Sequence, residues 1–189
     1  MADYAERLGL ATKTGIEIEE GTPKTSDQDA VRSAIGQGTN AFSAANVNRY
    51  TCTLANGGYV YDLFIVDAVH SSKGEVLDET LPQLVLDTGI SAKIYDIVKE
   101  GMRMVVTDEH REDFMELETA GMKTAGKTGT AQESEDRPDH SYFTGYAPYD
   151  KPEIAVTVVI PYGGGSSNAI PVFKDVVANY YGIALDTRQ

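Results

Sequence analysis

The residues with the densest chemistry in this sequence are Ala125-Gly126-Lys127-Thr128-Gly129-Thr130-Ala131-Gln132. A cation, two hydroxyls and two glycines on a short extended segment can hold a carboxylate through charge-assisted and hydroxyl hydrogen bonds. Gly129 removes a side chain, so an extended peptide can lie against the backbone as an added strand. A bare Lys-Thr-Gly also occurs on ordinary surface strands, so its meaning rests on context. Other candidates carry less. His70, His110 and His140 are far apart and lack metal-ligand spacing, so they read as surface or turn residues. Gly163-Gly164-Gly165 reads as a tight strand-to-helix turn, because no Lys follows where a phosphate loop needs one. Cys52 sits among helix residues as a small buried side chain.

Elements must position that segment, and the composition bounds them. The chain has 189 residues and a net charge of −13. That length allows one domain, or one and a half, with a real core. The acidic balance excludes a non-specific nucleic-acid binder and a protein adhering to anionic membrane, since both need a basic surface. A single Cys forbids an internal disulfide and a multi-cysteine zinc site. No apolar stretch follows a basic start in Met1 to Arg7, so no signal peptide is predicted. The longest apolar run, Ile154 to Ile160, is too short to span a bilayer. Taken alone, the chain reads as soluble.

Residues 1–120 read as mainly helical with one hairpin. Ser43 to Asn56 is a predicted helix with Val47, Tyr50 and Leu54 on one face and Asn56-Gly57-Gly58 as a stop. Tyr59 to Val69 and the segment after Glu75 read as strands around the turn Ser71-Ser72-Lys73-Gly74. Ser91 is expected to cap a helix that places Ile94, Ile97, Val98, Met102 and Val105 at helical spacing. The charged stretch Thr107 to Glu118 reads as a solvated excursion. Residues 121–189 read as a three-strand meander, Gly121 to Ala131, Ser141 to Ala147 and Glu153 to Ile160, closed by a helix. That helix begins near Asn168, puts Phe173, Val176, Val177 and Tyr180 on one face, and ends at Gly182. The expected class is α/β of the α+β kind, an antiparallel sheet packed with helices. Ile154 to Ile160 lacks alternation and therefore reads as a central strand buried on both faces. Its second neighbour would be the Tyr59 hairpin or chain not present here.

The context now gives the Lys-Thr-Gly segment a meaning. Lys127-Thr128-Gly129-Thr130 resembles the third signature of the serine acyl-enzymes that bind penicillin. The extension Ala131-Gln132 resembles the class B penicillin-binding proteins, the D,D-transpeptidases of peptidoglycan synthesis. Ile35-Gly36-Gln37-Gly38 followed by Leu54-Ala55-Asn56-Gly57-Gly58 is similar to a second family segment. Ser141-Tyr142-Phe143-Thr144-Gly145-Tyr146-Ala147-Pro148 and the apolar strand after it are similar to the next two family strands. Leu8-Gly9-Leu10 through Thr14-Gly15-Ile16 also resembles the family, so the likeness runs in order through nearly the whole chain. One departure lies where the family has Thr-Pro-x-Gln and this chain has Ser43-Ala44-Ala45-Asn46. Ser43 is expected to cap, and the shorter Asn46 to reach back less well.

The larger departure concerns the nucleophile. The family attacks with a Ser followed three residues later by Lys, and none of the serines here has Lys at that position. Ser166-Ser167-Asn168 has the form of the family's second signature but follows the Lys-Thr-Gly strand instead of preceding it, and reads as a helix cap. The resemblance therefore implies a truncated transpeptidase domain over residues 1–189, a partial fold of the penicillin-binding and β-lactamase-like kind. No catalytic residue of the nucleophile type is in this chain. An apolar anchor, an N-terminal domain and the nucleophile helix would lie upstream, and the parent would be held outside the cytoplasm on the cell membrane.

In such a parent the resemblance implies acyl transfer from a peptidoglycan stem peptide, with penicillin and other β-lactams trapping the serine. Lys127 and the hydroxyls of Thr128 and Thr130 would engage the terminal carboxylate, Gly129 would lie beneath the ligand, and the backbone N–H of Thr130 would be one oxyanion-hole donor. No metal or organic cofactor and no nucleic acid are implied. A non-catalytic binding module remains open, as does a β-lactamase or D,D-carboxypeptidase relative. An exposed sheet edge at Ile154 to Ile160 would allow self-association. Incubating this chain with a fluorescent penicillin, followed by denaturing electrophoresis, is expected to give no labelled band. A stoichiometric label on a serine would overturn the truncation reading.

Overall fold

The computed structural model describes residues 2–26 and 30–185. Two compact units are present, one of Met1–Thr53 with Gly58–Gly89, the other of Leu54–Gly57 with Ile90–Gln189.

The first unit holds α1 (Ala2–Arg7), α2 (Ala30–Ala34) and most of α3 (Ala44–Ala55), followed by four short strands. Its centre is polar. Arg49 is 1% exposed and donates to the carbonyls of Gly9, Thr12 and Lys13 and to the Thr12 hydroxyl. Burial pushes the Arg49 pKa down, against the charges of Asp62 and Glu20. Asp62 lies 3.8 Å from Nη1. The α3 start corrects one expectation: Asn46 Oδ1 accepts from the Ser43 N–H at 3.1 Å, while Ser43 Oγ accepts from the Asn46 N–H at 3.1 Å. This is a complete reciprocal cap. Asn46 also donates to the Thr12 carbonyl at 2.9 Å, which holds its amide in place.

The predicted hairpin is present but broken in two. β1 (Tyr59–Tyr61) pairs antiparallel with β4 (Leu84–Asp87), and β2 (Ala68–His70) with β3 (Val76–Glu79). The expected turn closes β2 and β3 through Gly74 N–H to Ser71 O at 2.9 Å and Ser71 N–H to Glu75 O at 2.8 Å. Between the pairs, Glu17 accepts the N–H groups of Ile65 and Val66, so the carboxylate takes donors a ladder would have used. Backbone N–H groups, that of Ile65 foremost, then its own and that of Val66, hold the Glu17 pKa below the usual carboxylate value.

In the second unit, α4 (Ala92–Met104) runs through a π-helical turn, Val105–Glu109, into α5 (Arg111–Thr119). The stretch expected to be a solvated excursion is thus helical, and it places Phe114 and Leu117 fully in the core. Asp108, Glu109, Arg111 and Glu112 stay exposed, while Glu116 and Glu118 are half-buried. Ser91 stands at the start of α4 without a side-chain cap. The buried residues of α4 are Tyr95 and Met102, whereas Ile94 and Ile97 are 52% and 59% exposed, contrary to the expected face.

The sheet is β5 (Ala125–Ala131), β6 (His140–Ala147) and β7 (Ile154–Ile160), antiparallel and in that order. β5 starts four residues later than expected, because Gly121 and Met122 still bond back to Glu118 and Leu117 of α5. β7 pairs with β6 alone among the described residues, so the second neighbour expected for it is not found among them. The Tyr59 hairpin does not pair with it. A 3₁₀ turn, Ser166–Ala169, leads into α6 (Ile170–Tyr181), which buries Ile170, Phe173, Lys174, Val177 and Ala178. Val176 and Tyr180 point outward, 43% and 63% exposed, so half of the predicted face is corrected. Lys174 is buried in an ion pair with Glu116 of α5 at 3.0 Å.

The rings of Phe114, Phe143 and Phe173 form one cluster, with centroids 4.7–6.0 Å apart. Phe114→Ala is expected to destabilise the second unit by about 3–5 kcal/mol, whereas Glu112→Ala on the same helix stays within about 0.5 kcal/mol. Urea denaturation measures both; a neutral Phe114→Ala would restore the solvated reading of this stretch.

Candidate functional site

The site begins with the way β5 is seated. Gly126 faces Gly145 across the β5–β6 ladder. A Cβ on Gly126 would collide with the Phe143 ring and lie 2.8 Å from the Thr144 carbonyl oxygen; one on Gly145 would collide with the Ala125 carbonyl. The glycine pair therefore lets two strands settle onto the aromatic cluster. Strand alternation then fixes the directions. Gly126, Thr128 and Thr130 share the face of Phe143, while Lys127, Gly129 and Ala131 share the opposite face with Thr144, Tyr142 and His140.

Sequence reasoning missed the residue that anchors the start of this strand. Arg103 of α4 makes a two-pronged contact with Glu118 of α5, at 2.5 and 2.7 Å, and donates to the Thr124 carbonyl at 2.8 Å. Its guanidinium also lies 5.6 Å from the Tyr149 ring centroid. One planar fork thus ties α4, α5 and the entry to β5 together. The bond to Glu118 raises the Arg103 pKa further, so the charge is permanent. The only signal in the sequence was an Arg and a Glu among many charged residues.

Among the four residues singled out in the sequence, Lys127 and Thr128 are brought into contact: Lys127 Nζ donates to Thr128 Oγ1 at 3.3 Å. Neighbours on a strand point to opposite faces, so the lysine must bend toward the strand edge to reach the hydroxyl. β5 is an outer strand among the described residues, which leaves room for that bend. Lys127 and Thr130 are exposed, and Thr128 and Gly129 half-buried. A Cβ on Gly129 would lie 3.2 Å from the Tyr142 Cβ, tighter than ordinary contact. The arrangement offers an ammonium and hydroxyl groups along one outer strand, with a bare backbone between them. It suits an anionic ligand lying extended.

Comparison with known proteins places the chain in a family. Residues 1–178 match the family described as the penicillin binding protein transpeptidase domain. The chain belongs to that family. It is 30% identical over 211 residues to the peptidoglycan D,D-transpeptidase MrdA of Haemophilus influenzae, covering 96% of this chain and 32% of that protein. It is 33% identical over 180 residues to penicillin-binding protein 2A of Bacillus subtilis, covering 85% and 25% respectively. Its fold resembles that of penicillin-binding protein A from M. tuberculosis, solved as an imipenem acyl-enzyme, with a TM-score of 0.83, 20% identity, and coverage of 94% of this chain and 40% of that one. The transpeptidase-domain chain thus spans a quarter to a third of these two curated relatives. No helix among its described residues is long and apolar enough to cross a membrane.

The two glycines of β5 differ in how tightly they are packed. Gly126→Ala is expected to cost about 1–3 kcal/mol through overpacking, with Gly129→Ala costing less because the Tyr142 side chain can shift a few tenths of an ångström. Urea midpoints measure both, and an equal cost would mean that β5 is not pressed onto Phe143.

Proposed function

We propose that this chain is the carboxylate-anchoring part of a peptidoglycan D,D-transpeptidase. Lys127 and the hydroxyls of Thr128 and Thr130 receive the terminal carboxylate of a D-Ala-D-Ala stem peptide, or the matching carboxylate of a β-lactam. Gly129 lets the peptide run along the strand, and the Thr130 N–H is one donor to the oxyanion. The nucleophile comes from a Ser-x-x-Lys segment outside this chain. Its hydroxyl oxygen bonds to the penultimate D-Ala carbonyl carbon, the amide C–N bond breaks, and D-Ala leaves with the proton. A neighbouring amine then takes the acyl group and frees the serine. The parent works outside the cytoplasm on a membrane anchor, and further parts of its domain cover the second edge of β7.

The observation that carries this reading is the 3.3 Å contact between Lys127 Nζ and Thr128 Oγ1 on the exposed outer strand, within a chain of the transpeptidase family. Two donors already share one place, so an arriving carboxylate meets a largely formed site. The similarity to relatives several times longer supports a parent that supplies the nucleophile.

The test is Lys127→Ala in the longer protein. A lost charge-assisted bond is expected to slow acylation by penicillin by roughly 10- to 100-fold, with the melting temperature unchanged. Stopped-flow acylation measures it, and an unchanged second-order rate would leave Lys127 an ordinary surface lysine.

A further inference from the structure

The connection between β5 and β6, residues 132–139, reads Gln-Glu-Ser-Glu-Asp-Arg-Pro-Asp. It has almost nothing apolar to bury, and such a segment is ordinarily mobile. Here its bonds converge on one residue beyond β7. The Tyr162 hydroxyl donates to Glu133 Oε2 at 2.8 Å and accepts from Arg137 Nη1 at 2.7 Å. The Arg137 guanidinium lies 5.1 Å from the centroid of the same ring. The Tyr162 N–H donates to His140 Nδ1 at 3.0 Å, and the two rings are 4.9 Å apart. His140 Nε2 lies 3.5 Å from Glu133 Oε2, and the Gly164 N–H donates to the Asp139 carbonyl at 2.9 Å.

Tyr162 also has a backbone φ of 55°, the one positive value among described residues other than glycine. A tyrosine holds that conformation only where its surroundings over-determine it. Three glycines follow immediately, so a residue that adopts the turn without strain was available. The geometry therefore needs the tyrosine for its contacts. His140 completes the link to the site, because it pairs directly with Ala131, the residue after Thr130. An Nδ1 that accepts a backbone N–H keeps the ring proton on Nε2, toward Glu133.

We propose that Tyr162 and His140 are positioning residues, which clamp the β5–β6 connection onto the turn after β7 and so hold the Thr130–Ala131 end of the ligand-binding strand. The functional part of this inference rests on the carboxylate-anchoring reading above. The clamp itself does not.

Amide hydrogen exchange on this chain tests the clamp. Tyr162→Phe keeps ring and backbone but loses both hydroxyl bonds, and exchange across 132–139 is expected to rise on the order of fivefold. Tyr162→Asn tolerates a positive φ, yet is expected to loosen the connection further. His140→Ala does the same, and His140→Asn restores protection, since its Oδ1 takes the place of Nδ1. Unchanged exchange in Tyr162→Asn would reduce Tyr162 to a turn former, and His140→Asn behaving like His140→Ala would remove His140 from the clamp. In the longer protein, Tyr162→Phe is expected to lower the acylation rate constant severalfold while the initial binding constant for penicillin holds. An unchanged rate constant would overturn the positioning role. If Lys127→Ala leaves acylation unchanged, the carboxylate reading fails, and the exchange result still decides the clamp.

Discussion

Gly126 and Gly145 meet across two strands because the ring of Phe143 occupies the space that a side chain on Gly126 would need. Most of the second unit follows from that close approach. With no Cβ on either strand at this level, β5 and β6 lie directly on the cluster of Phe143, Phe173 and Phe114, and helices from both ends of the unit contribute to it. A strand fixed in this way cannot slip by one residue without turning every side chain to the wrong face. Lys127 therefore faces away from the aromatic cluster, and its contact with Thr128 is a consequence of seating as much as of charge.

The polar contacts reinforce the seating from the two ends of β5. Arg103 holds the entry through the Thr124 carbonyl, and the Tyr162 cluster holds the exit through His140. Between them lies a segment of seven residues with two glycines, which on propensity alone is a poor strand. Its order is imposed by neighbours. That suits the role proposed for it, because its own side chains do little to fill the space.

The legibility of the sequence differed by element for physical reasons. β7 was readable because its apolar content is nearly continuous, β6 because its aromatic residues lie between turn residues, and the Lys-Thr-Gly strand because its residue types are unusual together. α5 was hidden by its charges: only Phe114 and Leu117 report its inner face, and two apolar residues do not establish a period. The outward faces of α4 and α6 misled in the opposite direction. Ile94, Ile97, Val176 and Tyr180 have helical spacing, but a pattern does not say which of two apolar faces is covered within the same chain. The site followed the same rule. Lys127, Thr128, Gly129 and Thr130 could be named from type and order, whereas Arg103, His140 and Tyr162 act through geometry that spacing does not encode.

The polar centre of the first unit carries a thermal consequence. Its fully buried positions include Thr14, Asn46, Arg49, Thr51 and Thr53, against few apolar ones such as Ala5 and Val60, while the second unit is built on aromatic and aliphatic side chains. The heat-capacity change on unfolding rises with the apolar area exposed and falls with the polar area. The first unit therefore has the smaller change per residue and a flatter dependence of stability on temperature. The second has the steeper curvature, so cooling weakens the hydrophobic seat of β5 while the hydrogen bonds around Arg49 change little.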